Sequence, residues 1–120
     1  MRKLFFIFAL AVGLLTSAST LQAQTVNMSS YITLTVTDGA AIKLDFKAAA
    51  AATPVRIVSG SNTRNITVGT DWYDSNWPST FTVTAGSTTM TIYSDLTGFD
   101  CRYNGANLTA LDPSHNTQLM

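Results

Sequence analysis

The chain is 120 residues long and carries seven Lys or Arg, seven Asp or Glu and one His, for a net charge of zero. That balance excludes the basic footprint of a nucleic-acid-binding protein and a polybasic membrane anchor. One cysteine excludes an internal disulfide scaffold and any multi-cysteine zinc site, and 12% charged residues are too few for a coiled coil or a solvated disordered tail.

The first 23 residues have the three-part build of a secretory signal peptide. Arg2 and Lys3 give a positive start, residues 4–15 (LFFIFALAVGLL) are a twelve-residue apolar run expected to be helical, and residues 16–23 (TSASTLQA) are small and polar. A permanent membrane helix needs roughly 20 apolar residues. The sequence therefore predicts export, cleavage after Ala23, with Ala18 and Ser19 as alternative sites, and no membrane insertion afterwards. Residues 24–120 carry five Lys or Arg against seven Asp and contain no Glu. They suffice for one small core.

Residues 31–37 (YITLTVT) alternate strictly, with Ile32, Leu34 and Val36 on one face and Tyr31, Thr33, Thr35 and Thr37 on the other. This is a strand with one wet face. Asp38-Gly39 favours a tight hairpin turn, and Ile42, Leu44 and Phe46 alternate on the expected return strand. Residues 48–52 are five alanines, which favour helix but are too few to hold one, and Thr53-Pro54 ends the run. Residues 55–58 and 64–68 predict a second hairpin around Gly60-Ser61-Asn62, and residues 80–84 and 88–93 a third around Ala85-Gly86-Ser87. Between them, residues 69–79 form a long loop bearing Trp72, Tyr73 and Trp77. The expectation is an all-β domain over 24–93: a small antiparallel sheet or sandwich of about six short strands in three hairpins. Its Thr excess supplies β-branched, polar outer faces.

Few side chains suggest chemistry. Trp72, Tyr73 and Trp77 fit a stacking platform for sugar rings or a hot spot for a protein partner, against the alternative that they plug an open end of the sheet. Asp71, Asp74 and Asn76 lack the Gly and distal Glu of a calcium loop. His115 and Ser114 are adjacent, which does not make a triad, and no GxSxG turn is present. Neither a cofactor nor a metal is expected, and the chain is not expected to be an enzyme.

From Leu96 the apolar spacing changes. Leu96, Phe99, Cys101 and Asn104 follow the opening of a leucine-rich repeat, LxxLxLxxN; Leu108 and Leu111 continue it, and Leu119 starts another unit within the 20–29-residue range of such repeats. The segment LTGFDCRYNGANLTALDPSHNTQL resembles the repeats of secreted and surface leucine-rich-repeat proteins of Gram-negative gut anaerobes, of the form LxxLxCxxNxLTxLDVSxNTxL. It departs from them by an insertion at Gly105-Ala106 and by Pro113. A weaker likeness extends upstream to IKLDF and TPVRIVSG. The resemblance implies that 24–93 is a capping domain and 94–120 the first repeat and the start of the second, with further repeats downstream in the same polypeptide. Cys101 would then pack inward, while Gly98, Asp100 and Arg102 would begin a concave binding face. It also implies a non-enzymatic adhesion-type protein, secreted or on the outer cell surface, whose partner is an extracellular protein or glycan. The competing expectation is a self-contained β-sandwich that takes residues 96–120 as a last strand and binds carbohydrate through the aromatic loop.

Overall fold

The computed structural model describes residues 25–74 and 81–119; the expected signal peptide, its cleavage site and Trp77 lie outside the described residues. The fold is all-β. Among the described residues nine strands follow one another: β1 (Tyr31–Val36), β2 (Ala41–Lys43), β3 (Asp45–Ala48), β4 (Thr53–Ser59), β5 (Asn62–Val68), β6 (Thr82–Thr84), β7 (Thr89–Tyr93), β8 (Leu96–Asp100) and β9 (Leu108–His115). A single 3-10 turn, Gly105–Asn107, precedes β9. One antiparallel sheet has the order β5-β4-β7-β1-β9, and two ribbons, β2-β6 and β3-β8, form the second layer.

The six strand regions expected from alternation are present, and their apolar faces meet as predicted. Ile32, Leu34 and Val36 of β1, Val55 and Ile57 of β4, and Met90 and Ile92 of β7 pack in one cluster with Ile42, Leu44, Phe46, Val83 and Leu96 from the second layer. Period two selects these residues because successive side chains of a strand point to opposite faces. The alanine run resolves into the end of β3 and a turn. Ala52 holds a positive φ of 60°, and the Thr53 hydroxyl closes the turn on the Ala50 carbonyl at 2.7 Å.

Two of the three expected hairpins do not form. β1 pairs with β7 from Tyr31↔Tyr93 to Thr35↔Thr89, while β2 pairs with β6 from Ala41↔Thr84 to Lys43↔Thr82. The backbone bonds Val36 N–H to Thr88 O, Gly39 N–H to Ala85 O and Ala85 N–H to Ala40 O, each 2.9 Å, run between these pairings. The result is one long antiparallel ribbon, β1–β2 against β6–β7, folded at residues 37–40 and 85–88. Each half enters a different layer. Gly39, at φ +87°, makes the corner rather than a hairpin turn. The physical reason is the core. A β1–β2 hairpin would put Ile32, Leu34, Ile42 and Leu44 side by side on one open face, whereas the folded ribbon sets them face to face. Only β4–β5 is a true hairpin, in register from Thr53↔Val68 to Ser59↔Asn62. Its two-residue turn opens with Gly60 at φ +61°.

The last two strands join these layers. β8 pairs antiparallel with β3, bringing Phe99 opposite Phe46 and Gly98 opposite Lys47. β9 pairs antiparallel with β1 as an edge strand. Its register shifts between Tyr31↔His115 and Thr33↔Asp112, so Pro113 falls in a bulge, where a missing N–H removes no ladder bond. Leu96, the first position of the repeat pattern, is fully buried in the common core; Phe99, Cys101, Leu108 and Leu119 pack against it half-buried. Leu111 differs from the inward position expected of it. It pairs with Leu34 on the core side of the sheet but remains 46% exposed, because β9 lies at the margin of the second layer.

Candidate functional site

β3 organises a part of the surface that gathers several residues singled out from sequence. One edge of β3 pairs with β8. Along the other runs the loop 69–74, tied by Ala48 N–H to Gly69 O at 2.8 Å and Tyr73 N–H to Phe46 O at 2.9 Å. A buried carboxylate relay fixes the end of this loop. Asp45 Oδ1 accepts from the N–H of Phe46 at 2.9 Å and of Asp74 at 2.7 Å, and Asp74 Oδ2 accepts from Phe81 N–H at 3.0 Å. Burial pushes the Asp45 carboxyl above its ordinary range; the two backbone bonds oppose this, and the charges of Asp74 and Asp100 add to it.

The aromatic loop therefore divides. Tyr73 turns to the core and packs edge-on to Phe81 at 5.3 Å and Phe46 at 6.4 Å between ring centres. One side of Tyr73 is packed in this way, and the residue stays 40% exposed. Trp72 turns the other way, is 43% exposed, and lies with the Lys47 ammonium 5.1 Å from its ring centre, a cation–π contact. Gly98 makes room for both: a Cβ there would stand 2.7 Å from Lys47 Cγ and 3.0 Å from the Trp72 ring. Trp72 and Lys47 thus rest across a bare stretch of β8.

These residues border an open groove of about 560 Å³ that continues along β8 past Thr97, Phe99, Asp100 and Cys101 to Arg102. Arg102 grips Asp100 through a fork, Nε to Oδ1 at 2.9 Å and Nη2 to Oδ2 at 2.6 Å. The guanidinium holds the Asp100 carboxyl below the usual carboxylate range and leaves the Arg102 side chain 69% exposed. Burial, and then the Asp100 charge, push the Cys101 thiol up, so it remains a protonated, half-buried packing group and not a thiolate nucleophile. Beyond Arg102 the chain is pinned by Asn104. Its Oδ1 accepts from Lys43 N–H at 2.7 Å, and its Nδ2 donates to the carbonyls of Lys43 at 2.9 Å and Cys101 at 2.7 Å. The buried amide stands in for a strand neighbour where β2 gives way to β3.

The groove thus brings together Trp72, Asp100 and Arg102 of the residues nominated from sequence, and Tyr73 stands apart from it. Sequence reasoning missed Lys47. The signal was present in the alternation of Lys43, Asp45 and Lys47 with Leu44 and Phe46, but nothing in it tied Lys47 to a loop much later in the chain. Asp112, Ser114 and His115 also come together on β9, in the wrong order for catalysis. Ser114 stands between the other two, its N–H on Asp112 Oδ1 at 3.0 Å and its Oγ 3.3 Å from His115 Nδ1. The carboxylate does not orient the imidazole as a triad requires. Among the described residues no three His, Cys, Asp or Glu side chains converge as metal ligands, and no helix is long and apolar enough to cross a membrane.

Comparison with protein-family models, with curated protein sequences and with solved structures finds no match. The functional reading rests on the geometry.

Proposed function

We propose that this is an exported, non-enzymatic binding protein, secreted or held at the outer surface of a Gram-negative bacterium, whose β-sandwich holds an extracellular glycan in the β8 groove. The observation that carries the reading is Trp72: a large aromatic ring left 43% exposed, laid across a glycine floor and flanked by polar groups. The negative face of an indole attracts the polarised C–H groups of a pyranose, and neighbouring charged side chains take its hydroxyls. Affinity electrophoresis of the purified protein through gels holding neutral or acidic polysaccharides tests it. Trp72→Ala is expected to lose at least about tenfold in retention, as befits an aromatic anchor worth roughly 2 kcal/mol, with an unchanged melting temperature. Equal retention by the variant would contradict the proposal.

A second reading, a cap for leucine-rich repeats, is favoured by one observation. Leu111 faces the core side of β9 yet is half uncovered, as a strand awaiting the next coil would be. The intact mass of the native protein from its producer separates the two. A mass well above that of residues 24–120 supports the cap, and a matching mass removes it.

A further inference from the structure

We infer that the groove selects acidic glycans, polysaccharides whose rings carry carboxylates; this rests on the glycan-binding reading above and names its ligand class. Five Lys or Arg occur in residues 24–120 against seven Asp, so the exported chain is net negative. Two of those five cations, Lys47 and Arg102, nevertheless line one groove beside a single carboxylate, Asp100. Lys47 lies on β3 opposite Gly98, and Arg102 follows the end of β8. The Lys47 ammonium lies over one face of the Trp72 ring, 5.1 Å from its centre, within reach of a carboxylate on a sugar that rests against the exposed part of the indole. Arg102 is pre-oriented by its fork on Asp100 and by the Tyr103 ring 5.5 Å from its guanidinium carbon, and its side chain is 69% exposed, so a second carboxylate can reach it. Gly98 leaves the floor beside Lys47 and Trp72 without a side chain. A cationic pair around an aromatic surface matches a repeating anionic pyranose. The Tyr93–Tyr31–His115 row on the opposite sheet offers no such seat. Tyr31 and His115 stack on each other at 4.5 Å and 8°, which covers one face of each, and the row is paired with one cation, Arg56 opposite Tyr93.

The test compares polygalacturonate with its carboxyl-reduced form, which keeps the chain and loses the charge. Retention is expected on polygalacturonate, weakened by salt, and about tenfold lower on the reduced polymer. Lys47→Gln and Arg102→Gln each lower retention about tenfold, the loss of one charge-assisted contact. Arg56→Gln, which removes an equal charge on β4, leaves it unchanged. Equal retention on both polymers overturns the acidic preference while leaving glycan binding intact. Retention on no polysaccharide at all overturns both. Equal retention on polyglutamate, undiminished in Trp72→Ala, reduces the groove to a general polyanion patch and also overturns the inference.

Discussion

Asp45 is 2% exposed and carries the hydrogen bonds that hold the Trp72 loop. Its pKa is raised in the folded protein, chiefly by burial, so its contribution to stability is fullest below the ordinary aspartate value and is lost as pH rises through the raised one. Asp100 runs the other way: its depressed pKa adds stability above the ordinary value, lost as pH falls through the lowered one. Asp45→Asn keeps the Oδ1 acceptor and removes the buried charge. It is expected to be at least as stable as the parent at pH 7 in urea titrations, and to lose the gain that Asp45 gives the parent on acidification. Asp45→Ala leaves two buried N–H groups without a partner, each costing about 1–3 kcal/mol. An Asn variant as unstable as the Ala variant would contradict this account. Asn104→Ala strands Lys43 N–H and two carbonyls and is expected to lower the urea-unfolding free energy by about 1–3 kcal/mol.

At the scale of elements the folded ribbon is the defining device, and its corner is packed on the β4–β5 turn. Gly60 and Gly86 lie backbone to backbone; a Cβ on Gly60 would overlap the Gly86 carbonyl, and one on Gly86 the Ser59 carbonyl. Ser59 Oγ links the two, accepting from Gly86 N–H at 3.1 Å and donating to Thr89 O at 2.7 Å. Gly86→Ala is therefore expected to cost about 1–3 kcal/mol by overpacking, measured by thermal unfolding. Gly39→Ala meets open space and bears only the left-handed strain of about 1–2 kcal/mol. This is also where sequence reading reaches its end. Alternation identifies which side chains of residues 31–37 and 42–46 face inward, because that depends on the strand alone. It does not say which strand lies alongside, and Asp38-Gly39 serves a corner as well as a hairpin, since both need a positive φ at the glycine.

At the scale of the molecule, the groove lies on the smaller layer, and the five-stranded sheet is a platform behind it. Phe46 ties the two ribbons of the smaller layer together, 5.8 Å from both Phe81 and Phe99 between ring centres. Phe46→Ala is expected to cost about 3–5 kcal/mol and to lower glycan retention, because it loosens Tyr73 beneath the Trp72 loop. Ile57→Val, in the larger sheet, should cost about 0.5–1.5 kcal/mol and leave retention intact. Part of the site was legible before folding: Trp72 stands out locally as an aromatic in a loop, while Asp100 and Arg102 are picked out by the repeat spacing from Leu96 and not as an ion pair. Lys47 and the floor at Gly98 matter only through the Lys47↔Gly98 register, which no local pattern encodes.

The seat of the glycan is the claim on which the functional account stands. A titration of the 15N-labelled exported protein with an oligosaccharide of the polysaccharide it retains most strongly tests it directly. The account predicts shifts at the Trp72 indole N–H and at the amides of Lys47, Gly98, Asp100 and Arg102, with Arg56, Tyr93, Tyr31 and His115 unmoved. Shifts confined to that outer row, or spread over the edge of β9 with the groove silent, would contradict it.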